Sequence, residues 1–196
     1  MRTGNMKRVL FAAVLFAAVT ALLSGCARDV IVEEALQLPA HARIFTAYNL
    51  WYDEDGEIRS INTQQGSILP FGTEVTILSA TEDKIRFRTV ADHKDYVIVY
   101  EKGYRMMTPE DYIREVFTRD DPETLTEGIP VTDVEKLKHG IVEKGMSKQE
   151  VRLAYGRPCK FKTPDEALDT WLYWTDFLVG RRVVFNNDKV FEIIEL

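Results

Sequence analysis

"EKGMSKQEVRLAYGRPCK", residues 143–160, reads as one helix with its own start and stop signals. Ser147 is placed to accept from the amide of Glu150, and the Glu150 carboxylate to accept from the amide of Ser147, which is the reciprocal pattern of a capping box. Met146, Val151 and Leu153-Ala154 supply the apolar side. Gly156 can take the left-handed conformation that closes a helix, and Pro158 prevents its continuation. Cys159 falls just outside. A second helix start precedes this one: in "VTDVEKLKHG", Thr132 and Glu135 have capping-box spacing, Val134 and Leu137 share a side, and Gly140 is the stop.

After an irregular "KFKTPDEALD" come "TWLYWTDF", "GRRVVFNN" and "KVFEIIEL", three strands with Gly180 in the first turn and Asn186-Asn187-Asp188 in the second. Turns this short make the strands antiparallel. Two short helices and such a sheet form a two-layer α+β unit over residues 131–196. The residues Gly145, Met146, Ser147, Glu150, Val151, Gly156, Pro158, Trp171, Tyr173, Phe185 and Val190, in this order and spacing, resemble the SmpA/OmlA domain, the fold of the BamE-like outer-membrane lipoproteins. That resemblance covers about 60 residues. It implies that Trp171 and Tyr173 cover the helices, and it implies a role in assembling β-barrels into the outer membrane. The chain differs from the usual family plan in carrying a β-rich domain ahead of the matching unit.

The N-terminus agrees independently. Arg2, Lys7 and Arg8 precede an apolar run from Val9 to Leu23, then Ser24-Gly25-Cys26. The run would span roughly 22 Å as a helix, against about 30 Å of bilayer hydrocarbon, so it reads as a signal peptide over 1–25. "LSGC" resembles the lipobox of bacterial lipoproteins, which implies acylation of Cys26, with palmitate among the chains. Several acyl chains anchor stably, at about 0.8 kcal/mol per buried methylene. Ala27-Arg28 lacks the aspartate that retains many such proteins at the inner membrane, so the resemblance points to the periplasmic face of the outer membrane. Without residues 1–25 the chain has 22 basic and 31 acidic side chains, net −9, which argues against a nucleic-acid partner. Cys159 is then an unpaired thiol in an oxidising compartment.

Residues 26–40 show no clear period and read as a lipidated tether, reaching at most about 50 Å when extended. From 41 to 107 the signals are β. Asp55-Gly56 between "IFTAYNLWY" and "EIRSIN" predicts a hairpin. "KIRFRTV" alternates, with Ile85, Phe87 and Thr89 on one face, and "DYVIVY" reads as a more central strand. "GSILPFGTEVTIL" resembles the middle of a bacterial SH3-like domain. "MTPEDYIREVFTRD" then predicts a docking helix with Thr108 as N-cap, and an acidic linker runs to 130. The expected fold class is therefore α+β: a small all-β, SH3-like domain (41–107), a docking helix and linker (108–130) and a two-layer BamE-like ααβββ domain (131–196).

No two histidines or cysteines have the spacing of metal ligands, and no cofactor is expected. An enzyme using Cys159 would need a base, and His41, His93 and His139 lie in no catalytic signature. The expectation is a non-enzymatic adaptor. Its binding residues would be Leu172 and Trp174 on the open face of the last sheet, with Lys148, Arg152, Arg181 and Arg182 as a basic patch for acidic protein loops or anionic lipid heads. The partners expected are the membrane, through the lipid, and a protein assembly such as the β-barrel assembly machinery. The alternatives are peptidoglycan, held by the SH3-like domain, and a secreted enzyme inhibited by the C-terminal unit, a role that a similar fold serves.

Overall fold

The alternating run "KIRFRTV" forms an internal strand of the largest sheet. The computed structural model describes residues 27–39, 42–176 and 178–196, so the expected signal peptide, Cys26, Ala40, His41 and Phe177 lie outside the described residues. Strands β1 (Ile44–Thr46), β3 (Glu57–Arg59), β5 (Glu74–Ala80), β6 (Lys84–Thr89), β7 (Asp95–Val99) and β8 (Phe117–Thr118) make one six-stranded sheet, in the order β3–β7–β6–β5–β1–β8. Ile85, Phe87 and Thr89 point into its core and Arg86 and Arg88 into solvent. Phe87 stacks on Tyr96 at 5.5 Å and meets the edge of Phe117 at 5.4 Å.

The predicted docking helix, Pro109–Val116, forms as expected with Thr108 accepting from the Asp111 amide, and it buries Tyr112, Ile113 and Val116 in this same core. Because it leads straight into β8, the first unit runs to residue 118 and does not end at 107. That is a correction, and its cause is the apolar stripe that only the first sheet can cover. In chain order it is α3, after α1 (Val32–Leu36) and α2 (Lys102–Arg105).

Residues 27–39 are not an extended tether. Asp29 bridges Thr81, the Val30 amide donates to the Ala80 carbonyl, and the Glu82 amide donates to the Arg28 carbonyl, both at 2.9 Å. Helix α1 then buries Val32 and Ala35, and Arg114 of α3 donates to the Ala35 carbonyl at 3.2 Å. Three apolar side chains, Val30, Val32 and Ala35, are enough to dock a segment whose neighbours look solvated.

The Asp55-Gly56 turn forms, with the Asp53 carboxylate accepting from the amides of Asp55 and Glu57, but it does not close a hairpin. Strand β2 (Leu50–Tyr52) pairs with β4 (Ser67–Leu69), while β3 pairs in parallel with β7. The reason is burial. Leu50 belongs to the core of the first unit and Trp51, its neighbour, to the core of the second. On β4 and beyond, Leu69 joins the first core, and Ile68 and Phe71 pack on the second. The two-stranded ribbon is a shared wall.

The second unit follows the predicted order: α5 (Val131–Lys138), α6 (Lys148–Tyr155), β9 (Thr170–Trp174), β10 (Gly180–Asn186) and β11 (Lys189–Glu195), with α4 (Pro122–Leu125) in the linker before it. Its sheet is antiparallel in the order β11–β10–β9. Both halves of the Ser147–Glu150 box are present. The Thr132–Glu135 box is not: Pro130 stands at the N-cap, and Glu135 bonds Lys138 instead. The linker is packed, with Leu125 and Ile129 against the second core.

Helix α6 ends in a way that the sequence does not announce. Its last three carbonyls would have no partner within the helix. The Asn49 amide donates to Leu153 O at 2.9 Å, the Asn49 side chain to Ala154 O at 3.1 Å, and the Asn62 side chain to Tyr155 O at 3.1 Å. Gly156 has φ +80° with an extended ψ of −174°, so it does not turn back in the expected left-handed conformation. A Cβ there would lie 2.8 Å from the Tyr48 ring and 2.9 Å from the Asn62 amide nitrogen. Glycine is what lets the first unit reach the helix end.

Asn49 is fully buried; its side chain also donates to Leu137 O at 2.6 Å and accepts from the Phe71 amide at 3.0 Å. Asn49→Ala leaves those groups without these partners, at about 1–3 kcal/mol for each one stranded. We expect it to cost about 3 kcal/mol in urea unfolding, whereas exposed Gln65→Ala should stay within about 0.5 kcal/mol. A cost of Asn49→Ala no larger than that of the control would show that the clasp does not hold the units together.

Candidate functional site

Alternation sorts the C-terminal sheet into two faces. Trp171 and Tyr173 on β9, Val183 and Phe185 on β10 and Val190 on β11 turn to the helices and are buried. Leu172, Arg182, Val184 and Ile194 turn outward. Arg182 lies directly between Leu172 and Ile194 across the ladder, with Val184 two residues on, opposite Thr170 and Glu192. Phe191 sits where the β10–β11 register shifts and is 60 % exposed; Leu196, at the other end, is 52 % exposed. Leu172, Val184 and Ile194 are half-buried, yet they belong to neither core. An antiparallel sheet with one free face ordinarily shows polar side chains there. An apolar row of Leu172, Val184 and Ile194 that shares its face with Arg182, Thr170 and Glu192 is the surface of this molecule best suited to a partner.

Two of the six residues expected to bind a partner, Leu172 and Arg182, lie on this face, and Arg182 has no ion pair among the described residues. The other four are engaged within the molecule, which corrects the expectation of a basic patch. Trp174 ends the outward row, but Tyr104 meets it edge-on at 6.5 Å, Lys162 sits 5.0 Å over its ring, and its carbonyl accepts from the Gln64 amide at 3.0 Å. Lys148 is 12 % exposed and pairs with Asp188 at 3.0 Å and Asp169 at 3.8 Å, with its ammonium over the Phe185 and Trp171 rings. Arg152 pairs with Glu166 at 2.6 Å. Arg181 pairs with Glu195 and donates to Gln64 and to the Tyr155 hydroxyl oxygen, both at 2.8 Å, so it spans the seam between the units. Each partner lies far along the chain from the cation, beyond the reach of local patterning.

Val184, Phe191 and Ile194 were not expected on the site. Their signal was available: "RRVVF" and "EIIE" put apolar residues on both faces of a strand that has helices on one side only.

The Cys159 thiol is buried and donates to the Tyr104 carbonyl at 2.6 Å. Burial pushes its pKa up, and a thiol held neutral in this way is a poor nucleophile. Among the described residues no group of three His, Cys, Asp or Glu could hold a metal ion. Of the charges that line the cleft of about 550 Å³ beside Glu115, Arg152, Arg157 and Glu166, these four are already paired, since Glu166 holds both arginines and Glu115 holds the buried Arg105.

No family model, no curated protein and no solved structure matches the chain.

Arg182→Glu should leave unfolding free energy within about 0.5 kcal/mol of the parent. Lys148→Glu puts a carboxylate between two others and should cost about 2 kcal/mol or more. Paired urea curves check this difference, and equal costs would place Arg182 in the structure and not on a free surface.

Proposed function

We propose that this protein is a lipid-anchored, non-enzymatic adaptor of the periplasmic face of the outer membrane, with the outer face of its C-terminal sheet as the docking surface. The observation that carries the proposal is the apolar row Leu172, Val184 and Ile194 around unpaired Arg182, on a sheet whose other face is fully used by its helices. The lipobox-like "LSGC" supports the anchor. The likeness of residues 145–190 to the SmpA/OmlA pattern supports a place in outer-membrane protein assembly, and the likeness of "GSILPFGTEVTIL" to SH3-like domains supports an SH3-like arrangement for strands of the first unit, on which its helices dock. The partner is an apolar protein segment that carries an acidic group for Arg182, a pairing that gains from desolvation on a sheet face.

The test is affinity purification of the lipidated, C-terminally tagged full chain from its host's membranes in mild detergent, with mass spectrometry of what is retained. We expect enrichment of outer-membrane assembly proteins by the parent, lost in the Leu172→Asp, Arg182→Glu double variant at unchanged stability. Equal recovery by parent and variant would overturn the docking face. Recovery of peptidoglycan-linked proteins instead would move the function to the first unit.

A further inference from the structure

We infer that a second surface, built jointly by the two units, lies against anionic lipid headgroups. Helix α2 presents Lys102 and Tyr104, and Met106 follows at its end with its amide donating to the Lys102 carbonyl. The loop after α6 presents Lys160, Phe161 and Lys162. Tyr104 and Phe161 meet edge to face at 5.7 Å, and the Tyr104 carbonyl accepts both the Phe161 amide and the Cys159 thiol, so the two segments are pinned together. Cys159 thus has a structural task at this surface. Met106, Phe161 and Tyr104 are 62, 55 and 40 % exposed, high values for apolar side chains.

Three features distinguish a lipid from a protein as the occupant. Lys102 and Lys160 have no ion pair among the described residues, and the Lys162 ammonium lies over the Phe161 and Trp174 rings. The nearby Glu101 is held by Arg59, and Asp176 is the carboxylate beside Trp174, so the patch keeps a positive balance. Lysines that bracket exposed aromatic and thioether groups match a headgroup layer, where the cations meet phosphate and the apolar tips enter the acyl boundary.

The third feature is chain length. Asp29 is fixed to Thr81, so Cys26 is three residues, at most about 10 Å, from the folded body. Arg28 pairs at 2.8 Å with Glu110, which lies four residues after Met106. A lipid on Cys26 would therefore emerge near Glu110, on the side of the first unit that carries the segment after α2. This last point rests on the anchored reading; the charge and the geometry do not.

Residues 27–196, which hold every described element and no acyl chain, should co-sediment with vesicles of phosphatidylserine and phosphatidylcholine at low salt and much less with phosphatidylcholine alone. Lys160→Glu with Lys162→Glu should weaken binding roughly tenfold or more, and Lys102→Glu, at an exposed site whose side chain makes no hydrogen bond or ion pair among the described residues, should weaken it measurably without touching the fold. Met106→Asp with Phe161→Asp should reduce the binding that survives at high salt. Parent binding that ignores lipid charge, or all variants binding as the parent does, would overturn the inference. Mass spectrometry of Cys26 in the full chain is a separate readout: an unmodified cysteine would remove the anchored reading and leave the vesicle result standing.

Discussion

The last three carbonyls of helix α6 find their hydrogen bonds on the other unit, and most of the molecule's organisation depends on that. A helix that ended in a glycine turn would satisfy them locally. Here Gly156 runs on extended, and Asn49 and Asn62 reach across from the first unit to take Leu153, Ala154 and Tyr155. Each asparagine also ties down its own side. Asn62 accepts from the Trp51 amide and donates to the Asn49 carbonyl, while Asn49 accepts from the Phe71 amide. Neither unit can leave without exposing buried acceptors on one side and buried donors on the other. A helix-and-sheet unit of some 65 residues buries little surface by itself, so borrowing Trp51 and Phe71 for its core and two asparagines for its helix end is a sensible route to stability.

The same seam also holds unsatisfied groups. Among the described residues, the buried side-chain polar atoms without a hydrogen-bond partner are Tyr48 Oη, Thr63 Oγ1, Gln64 Nε2, Arg105 Nε, Trp174 Nε1 and Thr175 Oγ1, and each belongs to a segment that touches the opposite unit. Such groups cost about 1–3 kcal/mol apiece when left dry. The asparagine clasp therefore sits in a seam whose unsatisfied groups run from Tyr48, beside Asn49, to Trp174.

What was legible in the sequence was local. The Ser147–Glu150 box, the Thr108 cap, the alternation of β6 and the three closing strands all rest on spacings of two to four residues, and each formed. The failures share one cause. Asp55-Gly56 makes its turn but not its hairpin, because Leu50 and Trp51 are claimed by different cores. Asn49 and Asn62 look like ordinary turn residues until the helix end they cap is known. Val30, Val32 and Ala35 fit no single period, since the first follows the Asp29–Thr81 bridge and the others lie on a five-residue helix. The candidate site was half legible for the same reason: alternation put Leu172 and Arg182 outward, but nothing near Lys148 in sequence tells that Asp169 and Asp188 hold it.

The clasp also decides what the two candidate surfaces can do together. Trp174 stands at the boundary: its backbone continues the outward row of β9 from Leu172, and its ring rests on Tyr104 at the start of the lysine-rich surface. Because the units share a wall and a capped helix, these surfaces are joined through packed structure and not through a bare linker. If the lysine-rich surface lies on lipid, a partner on Leu172 and Arg182 is held beside the headgroups, where its own apolar segments meet the bilayer. A long tether would leave that partner's height above the membrane free. A docked N-terminus and a shared wall would narrow it, which is the geometry the proposed adaptor would need to present a client to a membrane and not merely to retain it nearby.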